Sequence, residues 1–330
     1  MAMELPAPMS NAPWMAPSEV KSVEYRLSRV QTLLRPQVED GGWFWGLDSY
    51  DGCELGCAFC PTTLEGEHPA RVLVKVNAAL VLRHALRTQE LEGRPIVLGH
   101  RTEPWQPLEE RFRITRGVLE TLAEHGGVEL RVNTRSRRVT RDVDLLRAIG
   151  ERGRVSVTFS LPSLDDGLNR LLEPKAPPVA ERLAAMELLA HAGLKVGVLL
   201  SPVPPGLSPR ALGLEALLSQ AREAGARFAG LRWLDFTPGQ RERFFSRASP
   251  ALVERLAERR DGAPARDVLD AFEAWRGRLG LQPYEEVMAL SPWPPVPPPP
   301  EPHGRLPAAR DALSSPAARA PGQNGSPSAH

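Results

Sequence analysis

The chain has 330 residues, 42% hydrophobic and 25% charged, enough apolar material for one large core or two smaller ones. Its 41 Lys and Arg nearly balance 40 Asp and Glu, and a net charge of +1 gives no global field to attract nucleic acid or an anionic membrane; only a local basic groove stays open. No run approaches the roughly 18 apolar residues of a membrane span, and the N-terminus lacks the pattern of an export signal, so the cytoplasm is the expected compartment.

Residues 1–35 read as a flexible N-terminal arm, because the first 20 or so are rich in Pro, Ala and Met and show no period. Apolar strand patterns then alternate with helical ones. Strands are predicted at 42–47, 95–99, 128–133, 155–160, 195–200 and 228–234, and helices at 76–89, 112–125, 141–152, 179–192 and 209–224. Gly193 and Gly225 fall where helix C-caps belong. The alternation indicates repeated βαβ units with a parallel sheet, over a core unit at 36–235; an open six-stranded barrel and a doubly wound sheet both fit. Residues 236–290 read as a helical extension whose Phe244, Phe245, Leu252, Leu256, Phe272 and Trp275 close the open side of the sheet. Residues 291–330, with a Pro-rich start followed by Ala, Ser and Gly, read as a disordered tail.

All three cysteines lie in one segment, Cys53-x3-Cys57-x2-Cys60, just after the first strand of the core. An odd number excludes a complete disulfide framework, and clustering argues against scattered core roles, so the thiolates are expected to converge on metal. Structural zinc would need a fourth ligand, for which His68 is the candidate, and no second knuckle exists. Inert core thiols lack a packing rationale beside Glu54 and Gly56. A [4Fe–4S] cube fits better: three thiolates leave one iron open to a small molecule, and Gly52 and Gly56 allow the backbone to curl and aim amides at the cluster. Phe59 would be apolar cover.

This spacing, with an aromatic residue before the third cysteine, resembles the signature of radical S-adenosylmethionine (SAM) enzymes. The resemblance implies a partial (β/α)6 TIM-like barrel, a [4Fe–4S] cluster on Cys53, Cys57 and Cys60, and SAM bound at the open iron. It further implies reductive cleavage to a 5′-deoxyadenosyl radical that abstracts hydrogen from a substrate, with an electron donor such as a ferredoxin or flavodoxin. Further along, Tyr50-Asp51-Gly52-Cys53, Thr102-Glu103-Pro104-Trp105-Gln106-Pro107, Thr134-Arg135-Ser136, Glu173-Pro174 and Pro202-Val203-Pro204-Pro205-Gly206 are similar to the spore photoproduct lyase-like group, over about 42–234. Departures exist: Leu55 replaces the group's His, Glu103 its Asp and Arg135 its Lys. The lyase also uses a further cysteine as hydrogen donor, and no fourth cysteine is present here, so lesion repair would need another donor; Tyr25, Tyr50 and Tyr284 are thin options.

Polar residues at strand ends are the candidate SAM contacts, since unpaired buried polar groups cost about 1–3 kcal/mol each. Glu103 could accept from the ammonium group, or pair with an arginine instead. Thr102 stands beside it. Arg135 and Ser136 could hold the carboxylate, against the alternative of a solvated basic face with Arg137 and Arg138. Ser160 could reach the ribose or cap a turn, and Ser201 could line the adenine region. Glu173 reads as part of a substrate-side loop, and Trp105 as a ring at the barrel mouth that contacts ligand or plugs the rim. Trp43, Phe44 and Trp45 read as core. Lys175 and the arginines of 131–141 could form a phosphate groove, although stacking aromatics are missing and nucleic acid is not favoured. A zinc-stabilised binding protein remains the alternative from another functional class.

Overall fold

In the computed structural model, the described residues are 23–39, 42–60, 71–88, 91, 93–203, 213–257 and 266–288. The tail and the first 22 residues of the expected arm therefore lie outside them, as does His68.

Eleven strands form two sheets among these residues. The larger has the order β11-β10-β9-β8-β7-β6-β3-β2. Its strands are β2 (Leu34–Glu39), β3 (Gly42–Leu47), β6 (Ile96–Leu98), β7 (Glu129–Thr134), β8 (Arg154–Ser160), β9 (Lys195–Val203), β10 (Phe228–Trp233) and β11 (Gln282–Pro283). All pairings from β3 to β11 are parallel, and β2 runs antiparallel to β3. Helices bridge the parallel strands: α1 (Ala78–Thr88), α2 (Glu109–Phe112), α3 (Ile114–His125), α4 (Val143–Arg152), α5 (Asp166–Leu172), α6 (Val179–His191) and α7 (Leu214–Glu223). The six predicted strands and five predicted helices are all present, shifted by a few residues at their ends, and Gly193 and Gly225 take positive φ just past α6 and α7. The pattern is that of a partial (β/α)6 barrel.

Residue alternation explains the two faces. On β8, Val157 and Phe159 are buried against the helices, whereas Ser156, Thr158 and Ser160 take the opposite, concave face. On β7, Leu130 and Val132 point outward and Arg131 lies between them. Helix α1 answers with Ala78, Leu82, Ala85 and Leu86 on one stripe. Trp43 and Trp45 join this outer core as expected, but Phe44 points to the concave side and meets the His100 ring at 5.2 Å.

The expected arm is shorter than 35 residues, because β1 (Glu24–Ser28) and the start of β2 fall inside it. β1 belongs to the second sheet, β1-β5-β4, with β4 (Tyr50–Asp51) and β5 (Arg71–Lys75). Its mostly exposed side chains carry no burial signal, so the pairing with β5 comes from backbone hydrogen bonding alone. After β10 come α8 (Pro238–Arg247), α9 (Pro250–Ala257), α10 (Arg266–Arg278) and α11 (Tyr284–Met288). Here the expectation is corrected. Phe244, Leu252, Leu256 and Phe272 pack into the outer core, α9 against α5 and α10 against α7, and do not close the open side; the extension adds β11 to the sheet instead. Tyr284 of α11 then lies on the concave face over Gly230, where a Cβ would stand 2.4 Å from the Tyr284 Cβ.

Candidate cofactor site at the strand ends

The chain leaves β3 at Leu47, pairs briefly as β4, and turns into the cysteine segment at the C-terminal rim of the parallel sheet. Gly52 makes that turn with φ of +89°, and a Cβ there would lie 2.3 Å from the Arg71 carbonyl oxygen, so any other residue both strains the backbone and collides with it.

Side-chain clamps hold the segment down. The Glu54 amide donates to Gln106 Oε1 (2.9 Å), the Gln106 amide donates to the Gly52 carbonyl (3.2 Å), and the Glu54 carboxylate accepts from the Leu108 amide and the Tyr25 hydroxyl, both at 2.6 Å. On the other side the Ala58 amide donates to the Leu172 carbonyl at the end of α5 (2.8 Å). Glu54 and Gln106 were missed as site residues. An acid between two cysteines in a buried loop was the available signal.

The three thiols are free, with Cys57 buried and Cys53 and Cys60 half-buried. Burial pushes the Cys53 thiol up to about 12 against the pull of the Leu55 and Glu103 amides, which point at its sulfur. Burial also carries the Cys57 thiol well above its ordinary value; Arg135 pulls it down, and nearby Cys53 and Cys60 raise it. The sulfurs thus sit within one another's electrostatic reach. Raised by burial, such thiols ionise only beside strong positive charge, which bound iron would supply. Among the described residues, no three His, Cys, Asp or Glu side chains converge tightly enough for a single metal ion.

Behind the thiols runs a buried charge chain. Arg135 Nε donates to Glu173 Oε1 (2.5 Å), the second Glu173 oxygen lies 2.6 Å from Arg182, and Arg182 donates on to the Ser160 carbonyl (2.8 Å). Glu173 is thus a structural carboxylate, not a residue of a substrate-side loop, since both oxygens are matched by arginines in the interior. The Arg135 guanidinium stands 5.5 Å from the Phe59 ring centre. Its Nη atoms carry no hydrogen bond among the described residues.

The other expected SAM contacts are divided. Glu103 does not pair with a guanidinium: its carboxylate accepts from the amides of Trp105 (3.0 Å) and Arg135 (2.7 Å) and from the Thr134 hydroxyl (2.7 Å). Burial is the main reason its carboxyl lies above the ordinary range, outweighing those donors. Thr102 is engaged elsewhere, its amide and hydroxyl donating to Asp48 Oδ1 at 3.0 and 3.3 Å. Ser136 turns away from the rim, donating to the Trp105 carbonyl (2.8 Å) and accepting from the Arg138 amide as cap of a short 3₁₀ turn. Ser160 and Ser201 stand near the C-terminal ends of the adjacent strands β8 and β9. Trp105 is a plug, fully buried, with its ring nitrogen donating to Asp142 (2.8 Å).

The arginine stretch is not a phosphate groove. Arg131 pairs with Glu129, Arg135 with Glu173, Arg137 with Glu181, Arg138 with Glu110 and Arg141 with Glu109 and Asp142. Lys175 is exposed beside this neutralised face.

No helix among the described residues is long and apolar enough to cross a membrane. Comparison with known proteins agrees with the geometry. The family profile described as the Radical SAM superfamily matches residues 47–213. Uncharacterized proteins of Mycobacterium tuberculosis and Mycobacterium bovis are 32% identical over 224 residues, covering 64% of this chain and 66% of their own length. A protein of Acidianus two-tailed virus is 26% identical over 184 residues, or 51% of this chain and 58% of that one. Spore photoproduct lyase with a dinucleoside spore photoproduct superposes with a TM-score of 0.58 at 15% identity, covering 78% of this chain and 81% of that one. The same lyase with bound AdoMet and that photoproduct gives a TM-score of 0.54 at 15% identity, covering 72% and 75%. At such identities the likeness is one of fold. The cysteine spacing, the partial barrel and the family profile together place this chain in the radical SAM superfamily, whose enzymes use a [4Fe–4S] cluster, SAM and a reductant.

Proposed function

We propose that Cys53, Cys57 and Cys60 hold a [4Fe–4S] cluster with one iron left for SAM, and that the chain reductively cleaves SAM to start a hydrogen abstraction from its substrate. The observation that carries this reading is the clustering of three thiols, one buried and two half-buried, at the strand-end rim, with two backbone amides directed at Cys53 and the Arg135 cation beside Cys57. Bound together, cluster and SAM supply a carbon radical able to take hydrogen from an unactivated C–H bond.

The chain's own residues supply the setting. The Leu55 and Glu103 amides and the Arg135 guanidinium offset the negative charge of the thiolates, which favours the reduced form. Phe59, under Arg135, excludes water from that side. The free Nη atoms of Arg135 suit the SAM carboxylate, and Glu103, Ser160 and Ser201 are the remaining candidates for its ammonium and nucleoside. Thr102 and Ser136 act one step back, by fixing Asp48 and the Trp105 loop. A ferredoxin or flavodoxin is the electron donor in this reading, and a reducing cytoplasm keeps the thiols available. The lesion of spore photoproduct lyase is not assigned as substrate, because no cysteine is left to serve as hydrogen donor.

Anaerobic reconstitution tests the proposal. The parent should take up close to four irons and four sulfides per chain and release 5′-deoxyadenosine from SAM with dithionite, and Cys57→Ala should lose both. Zinc uptake without sulfide, or cleavage that survives in Cys57→Ala, would contradict it.

A further inference from the structure

A cleft of about 280 Å³ opens beside the cysteine loop, between β2 and the C-terminal ends of β3 and β6. Gly46 leaves room there by lacking a side chain, and Arg35, Gln37, His100 and Arg101 stand around it. Of the two acids in its wall, Asp51 has a cationic partner and Asp48 is held by neutral donors. Asp48 Oδ1 accepts the Arg101 and Thr102 amides, each at 3.0 Å, and Asp51 pairs with Lys75 at 2.8 Å. The two arginines are unmatched: among the described residues, neither the Arg35 nor the Arg101 side chain has an ion-pair or hydrogen-bond partner, and neither stacks on a ring. The arginines of the stretch from Arg131 to Arg141, by contrast, are all paired. Two exposed forks without a partner on one polar cleft offer the donors that an oxyanion takes, since planar guanidinium groups bind it in a bidentate manner.

We infer that this cleft binds the carboxylate or phosphate group of a small-molecule ligand through Arg35 and Arg101. Gln37 and His100 supply further polar contacts. Gly52 also lines the cleft and adjoins Cys53, so a ligand anchored here extends toward the cysteine rim. That position makes the ligand the substrate of the reaction proposed above, a role that rests on that reading, whereas the binding itself does not. The small volume and the lack of a stacking platform other than the His100 imidazole favour a metabolite-sized anion over a nucleic-acid strand.

The full chain, reconstituted anaerobically, is titrated calorimetrically with sodium phosphate and with sodium succinate, at ionic strength held constant with chloride. Saturable binding of at least one is expected, with affinity falling on the order of tenfold or more in the double variant Arg35→Gln, Arg101→Gln. Gln37→Glu, which adds a like charge at nearly the same volume, should weaken binding severalfold. Response to phosphate alone identifies a phosphate ester, and response to succinate alone a carboxylate. Absence of saturable binding to either, or equal binding by the double variant, overturns the inference. Iron content and substrate-free SAM cleavage are read on the same samples: if they are intact while anions do not bind, only this inference fails, and if they are absent while anions bind, only the catalytic reading fails.

Discussion

Glu39, at one edge of the eight-stranded sheet, and Arg232, on the strand next to the other edge, meet at 3.6 Å across the open side. The sheet has curled until its two margins touch through side chains, without the backbone pairing that would close a barrel. His100 lies 3.9 Å from the same carboxylate, and the Arg232 guanidinium rests over the Tyr284 ring at 5.6 Å. Both partners are more than a third exposed, so solvent screens the pair. Glu39→Gln should therefore cost no more than about 1 kcal/mol in urea unfolding. A loss of several kcal/mol would show that curvature depends on this contact more than on the helices behind the sheet.

Glu173 should behave in the opposite way. Its carboxylate is buried between Arg135 and Arg182, and removing the charge leaves two interior cations without a counter-ion. Glu173→Gln is expected to destabilise by about 3–5 kcal/mol in denaturant unfolding. Iron retention should fall as well, since Arg135 loses its anchor beside Cys57. Unchanged stability would contradict the buried chain.

Gly52→Ala tests the turn into the cysteine segment. The left-handed backbone costs about 1–2 kcal/mol for an L-residue, and the collision with the Arg71 carbonyl adds to it. Lower iron loading per chain after reconstitution is expected, together with a reduced melting temperature. Gly56→Ala, where a Cβ meets nothing within 4 Å, should show only the backbone penalty.

Asp142 links acid stability to the plug. Burial raises its carboxyl, but donors from Arg141, Trp105 and Arg116 outweigh burial and hold it below the ordinary range. A folded value below the unfolded one of about 3.9 means that the stabilisation is fully present above roughly pH 5 and is lost as pH falls through the folded value. The parent should thus lose stability between about pH 5 and 3 more steeply than Asp142→Asn, as read from urea midpoints at each pH. Parallel curves would remove Asp142 from the account.

The six core strands and the helices between them were legible because their signal is local: Val157 and Phe159 alternate with Ser156 and Thr158 within a few residues of β8, and a single strand reveals it. The cysteine trio was legible for the same reason, since the eight residues from Cys53 to Cys60 contain the whole motif. β1 was not, because its exposed side chains carry no period and only its pairing with β5 defines it. The partners of single polar residues were equally hidden. Trp105 reads equally as a ligand-facing ring or a rim plug until Asp142, 37 positions away, is seen to hold its nitrogen in the core.

The order of strands and helices, the number of thiols and their spacing follow from the chain alone, since burial pattern and turn chemistry act over short stretches. Tertiary structure alone decided which arginines are spent on buried acids and which stand free, because a charge finds its counter-ion across the fold. Glu173 is thereby committed to Arg135 and Arg182, whereas Arg35 and Arg101 are left to face the cleft.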